Sequence, residues 1–128
     1  MTLFEVLIAT FIFVISLGAL LNSILGVLGV IRSAKDQTIA ISDLRTMGER
    51  IKSATFSNML TSFPNNTTDG PAANLYSNIV GSYALNNEHI TVSYVNTATD
   101  PLEVKVTIDW QDNLGRSYNI FGYTFKTR

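Results

Sequence analysis

The reading of this chain turns on its first 32 residues, MTLFEVLIATFIFVISLGALLNSILGVLGVIR (1–32). After Glu5 comes an uncharged apolar run over residues 6–31, 26 residues in all, and the next charge is Arg32. As an α-helix this run spans about 39 Å at about 1.5 Å per residue. A membrane crossing needs only about 20 residues. A carboxylate at the mouth of such a segment is costly unless it is neutralised. The nearest available cation is an α-amino group, either that of Met1 or that of a neighbouring copy. The stretch therefore predicts a helix that is apolar on every side over residues 1–31 and must be covered by lipid or by other protein.

The rest of the 128-residue chain has a different character. All 9 lysines and arginines lie from Arg32 onward, as do all the acidic residues except Glu5. Residues 32–128 are therefore near neutral and offer no electrostatic footprint for a nucleic-acid partner. There is no cysteine, so this polar part must be stable without disulfides.

Three readings compete for the N-terminal run. A cleavable secretory signal would carry a basic leader and a shorter apolar core. A plain signal anchor fits the length. However, Arg32 and Lys35 follow the span and no cation precedes it, which would hold the polar part in the cytoplasm. In the third reading Met1 is a processed terminus from which a basic leader has been removed. The residues Met1-Thr2-Leu3-Phe4-Glu5-Val6-Leu7-Ile8-Ala9 resemble the mature N-terminus of the type IV pilins and of the pseudopilins of type II secretion.

The resemblance is specific over residues 1–30 and concerns architecture alone over the remainder. It implies cleavage by a prepilin peptidase, N-methylation of Met1, and a helix that first spans the inner membrane. With the help of inner-membrane assembly machinery, that helix then enters the core of an extracellular pilus, or fimbrium. It further implies that Glu5 pairs with the N-terminal amine of a neighbouring subunit, so that Glu5 and Met1 set the register of a homopolymer. Many members of the family carry a helix-breaking proline near position 22, where this chain has Asn22. Gly18, Gly26 and Gly29 each weaken a helix by up to about 1 kcal/mol relative to Ala. Gly18 and Asn22 therefore mark the place, residues 18–23, where a bend or stretched segment is expected.

Ile41, Leu44, Met47, Ile51 and Thr55 continue at three- and four-residue spacing, which puts them on one helical face. Asp43, Arg45, Glu49, Arg50 and Lys52 are assigned mostly to the opposite, solvated surface. No proline occurs before Pro64, so one helix is expected from the N-terminus to about residue 60, amphipathic over 32–60. Residues 61–75 read as a loop by their turn chemistry. They contain two overlapping N-x-Thr sequons at Asn65 and Asn66, minor candidates for glycosylation in what is chiefly an exposed surface loop.

Segment 74–88 fits either a short helix or a fourth strand. Strands are expected at about 89–96, 102–111 and 117–127. Ile90, Val92 and Tyr94 share one face, as do Val104, Val106, Ile108 and Trp110. Asp112-Asn113-Leu114-Gly115-Arg116 reads as a hairpin turn. The predicted fold is α+β: a long N-terminal helix packed by a small antiparallel sheet of three to four strands, the pilin-like layout the resemblance also implies.

Signs of chemistry are sparse. His89 is the only histidine and reads as a surface residue at a strand start. With no cysteine, no thiolate is available as nucleophile or ligand, and no glycine-rich phosphate loop is present. Asp109, Asp112 and Asn113 lack the spacing of a known calcium loop. Phe4, Phe11 and Phe13 need no purpose beyond packing. The expectation is a non-enzyme without metal or cofactor. It is a subunit that polymerises into a type IV pilus-like filament, in which small residues (Ala9, Ser16, Gly18, Ala19) allow close helix packing. Two alternatives are a minor pilin or pseudopilin of a pilus or secretion system, and a single-span anchored binding module that never polymerises.

Overall fold

Alternation with a period of two organises the C-terminal half and puts a continuous apolar face on one side of a sheet. The computed structural model describes residues 2–98 and 100–127. The chain divides into two units, Met1–Lys35 and Asp36–Arg128. Its elements in order are α1 (Leu3–Ser53), α2 (Phe56–Ser62), β1 (Thr67–Thr68), α3 (Tyr76–Val80), β2 (Asn86–Asn96), β3 (Leu102–Gln111) and β4 (Ser117–Lys126). The fold is α+β, with a 51-residue N-terminal helix and a four-stranded antiparallel sheet in the order β1-β2-β3-β4.

In the second unit Ile90, Val92, Tyr94, Val104, Val106, Ile108 and Trp110 are all buried, as their alternation requires. Their register is continuous: Val92 lies opposite Val106, and Val106 opposite Gly122. Met47 and Ile51 of α1, with Met59 of α2, Phe63 and Tyr76, complete the core. Asp112 shapes the β3–β4 turn. Its Oδ1 accepts from the N–H of Leu114 and of Arg116, and Gly115 sits at φ +75°.

The long helix ends earlier than the sequence suggests, at Ser53 rather than near residue 60. The Ser53 hydroxyl donates to the Arg50 carbonyl at 2.9 Å and the Ala54 N–H is shared between Arg50 and Ile51. Such local bonds compete with the helical ladder. Thr55 then turns extended and starts the separate helix α2. Lys126 reaches across from β4 and its Nζ donates to the Lys52 carbonyl at 2.6 Å, a cationic cap on the negative end of α1.

The buried stripe of α1 is also rotated from its expected position. It runs Ala40, Asp43, Met47, Ile51, with Leu44 partly buried beside it. Ile41 is about half exposed, and Thr55 lies beyond the helix end. Both lines of residues satisfy helical spacing, and the sheet decides between them. Gly122 offers Leu44 a seat so close that a Cβ there would stand 3.1 Å from Leu44 Cδ2. Asp43, expected with its charged neighbours on the solvated surface, is therefore inside.

Two further boundaries move. The loop over 61–75 contains the short fourth strand β1, which pairs Thr67 with Val92 and Thr68 with Thr91. The ambiguous segment 74–88 holds the short helix α3 and then the start of β2, which begins at Asn86, three residues before the expected start.

Candidate functional site at the N-terminal helix

From Leu3 onward the first unit is entirely helix. From Thr2 to Arg32 every residue is exposed in the single chain, including Leu3, Phe4, Phe11, Phe13 and Val30. Contiguous apolar surface on this scale marks a surface meant for another apolar phase. α1 is long and apolar enough to cross a membrane. Three of its hydroxyl side chains fit that role. Thr10 Oγ1 donates to the Val6 and Leu7 carbonyls, Ser16 Oγ to Ile12, and Ser23 Oγ to Ala19. These three hydroxyls are thus satisfied within their own helix, as a water-free setting demands. α1 runs unbroken through residues 18–23, past Gly18 and Asn22.

Glu5 occupies the first turn of α1. Its Oε2 accepts the Thr2 N–H at 2.8 Å, and Thr2 Oγ1 lies 3.4 Å from the Glu5 N–H it faces. This is the reciprocal capping-box arrangement, a hydroxyl residue followed three places later by Glu. A negative charge here also complements the positive end of the helix dipole. Thr2 is a participant that the sequence reading passed over, although the T-x-x-E pattern was there to be read. Met1 lies outside the described residues, so its part in the site has no structural description.

The other candidates lie in the second unit and are used structurally. Asn65 Oδ1 accepts the Tyr94 N–H at 2.9 Å, fastening the loop to β2, while Asn66 is exposed with φ +54°. His89 Nδ1 lies 2.7 Å from Asp69 Oδ2. Asp69 also accepts the Tyr83 hydroxyl and the Ile90 N–H on Oδ1. Burial alone would raise the Asp69 carboxyl, but bonds from Tyr83, His89 and Ile90 outweigh it and hold the group below the ordinary range. In Tyr83, burial first and then its bond to Asp69 push the phenol up. Nothing in the sequence separates Asp69 from its Thr/Asn/Asp-rich neighbours. Asp112 spends both oxygens on the turn, with Arg116 Nε at 2.6 Å from Oδ2. Asp109 stands opposite His89 and Asn119 in the sheet. Among the described residues no three histidines or carboxylates gather as metal ligands.

No protein-family model, no curated protein and no solved structure matches this chain.

Proposed function

We propose that this chain is a structural subunit of a type IV pilus-like filament. The observation that carries the reading is the pairing of one carboxylate, Glu5, with a following helix that has no charge over residues 6–31 and exposes its whole apolar surface. The subunit waits in the inner membrane with this helix in lipid. On assembly the helix moves into a bundle of identical helices. The transfer from lipid to bundle is close to neutral in hydrophobic terms, so specificity comes from packing at small residues and from polar pairing. Glu5 supplies the pairing by facing the amine at the head of a neighbour's helix. A misregistered subunit leaves both charges unpaired, at a cost of about 3–5 kcal/mol.

One observation favours a second reading, a single-span anchor that stays monomeric. The Glu5 carboxylate already has an acceptor role within its own chain, at Thr2. Two substitutions separate the readings. Glu5→Ala removes both the cap and the charge, whereas Thr2→Ala removes the hydroxyl and leaves the charge. The filament reading expects Glu5→Ala to insert in the membrane normally yet give no sheared filaments, with Thr2→Ala still assembling. Normal filaments from Glu5→Ala sink the pairing role. Absence of filaments from the unmodified chain in its own cell supports the anchor.

A further inference from the structure

Asp43 and Glu88 lie within hydrogen-bonding reach of each other in the second unit, and among the described residues neither makes an ion pair. Asp43 projects from the buried stripe of α1 and is 8% exposed; Glu88, at the start of β2, is 3% exposed. Glu88 Oε2 accepts the N–H groups of Ala84 and Leu85 at 3.1 and 3.0 Å, which fixes the carboxyl in the turn before β2. Its Oε1 and the Oδ2 of Asp43 are both buried without a donor. Buried acceptors are almost always satisfied, and two adjacent buried carboxylates cannot both remain ionised without strong repulsion.

The ionisable groups on the surrounding elements supply no counter-charge. Tyr83, just before Glu88, donates its hydroxyl to Asp69, and His89 is also turned to Asp69. At the β3–β4 turn Asp112 and Arg116 pair with each other, and on α1 Arg45 pairs with Glu49. Asp36, two turns before Asp43 on α1, is itself an acid and offers no cation. Among the described residues no lysine, arginine or histidine makes an ion pair with either acid.

We propose that Asp43 carries a proton that it donates to the facing oxygen of Glu88, and that this proton fastens α1 to the start of β2, so that the second unit loosens as the solution passes from mildly acid to neutral pH. One proton between the carboxyls gives each orphaned oxygen a partner and leaves one negative charge instead of two. Burial, followed by the charge of Glu88 and the bond to it, raises the Asp43 carboxyl to about 6, in keeping with the geometry. An acid raised in the folded state contributes stability below its unfolded value, near 3.8. That contribution is lost as pH climbs through about 6, because the folded form then has to release the proton. The device does not depend on the filament reading.

The test uses the full chain in detergent micelles. The carboxyl-carbon NMR shift of Asp43 should titrate with a midpoint near pH 6, and an ordinary aspartate midpoint of roughly 4 overturns the proposal. Thermal unfolding followed by the fluorescence of Trp110 gives a second reading. The midpoint should fall by roughly 5–10 °C between pH 4.5 and 7.5. In Asp43→Asn, whose amide donates permanently where the proton stood, that fall should disappear. A folded Asp43→Asn that keeps the original slope overturns the proposal. If that variant does not fold, Glu88→Gln, which keeps an acceptor for Ala84 and Leu85, is held to the same standard, and the Asp43 titration decides by itself.

Discussion

Glu5 and Asp43 show how differently one side-chain type behaves at two depths of the same helix. Glu5 stands at the N-terminus, where free N–H groups and the helix dipole favour a negative charge. Asp43 stands mid-helix against the sheet, where burial penalises the charge and a second acid leaves the proton as its partner. Asp69 is a third case, since three donors converge on it and hold it ionised. Removing it in Asp69→Ala leaves the Ile90 N–H without its acceptor and frees Tyr83 and His89. The expected loss is about 2–4 kcal/mol, read from denaturant unfolding of the full chain in micelles. The next residue allows even less. Gly70 has φ +80°, and a Cβ there would collide with the Asn74 carbonyl and meet the Tyr76 ring at 2.7 Å. Gly70→Ala should cost about 2–4 kcal/mol by strain and displaced packing, by the same measurement. A variant within 0.5 kcal/mol of the unmodified chain, on the scale of about 0.5 for neutral surface changes, contradicts the geometry.

At the scale of elements, β4 caps the end of α1 and sets the seat of its stripe. Lys126 caps the last turn of α1 and Gly122 admits Leu44. Lys126→Ala should fray that turn and lower stability by about 0.5–1 kcal/mol, with faster amide exchange confined to the region around Arg50–Ser53. Protection unchanged there would show that the cap is idle. The strands were legible because alternation at Val104, Val106, Ile108 and Trp110 has only one consistent burial pattern. The same rule, carried two residues back from Ile90, places Glu88 on the inner face, one residue before the expected strand start. Asp43 has an equal signal in its spacing from Ala40 and Met47, which places it on the face that the sheet covers. At the helix end, Ser53 and Thr55 are weak helix residues whose effect emerges only when other bonds compete for the same carbonyls.

At the scale of the whole molecule, the two carboxyl environments oppose each other in pH. Asp69, held below its ordinary value, stabilises above about pH 3.8 and loses that contribution as pH falls through this region. Asp43, raised to about 6, acts in the other direction. Stability should therefore pass through a maximum in the mildly acid range, and Asp43→Asn should extend that maximum toward neutral pH as a plateau. A pH profile of the unfolding midpoint checks this directly. The two units also predict different solution behaviour. A chain beginning at Arg32 should stay in water with the strand content of the full chain, whereas the full chain should need detergent or lipid, as sedimentation and circular dichroism would show. The charge-free run after Glu5, the α+β class and the three long strands were determined by the sequence alone, because hydrophobic periodicity depends only on local spacing. Tertiary structure alone decided which of two eligible helix faces turns inward, where α1 stops, and that Asp43 meets Glu88. Those outcomes depend on contacts between residues far apart in the chain, where a glycine on β4 and a carboxyl on β2 choose among helical arrangements that local spacing leaves equal.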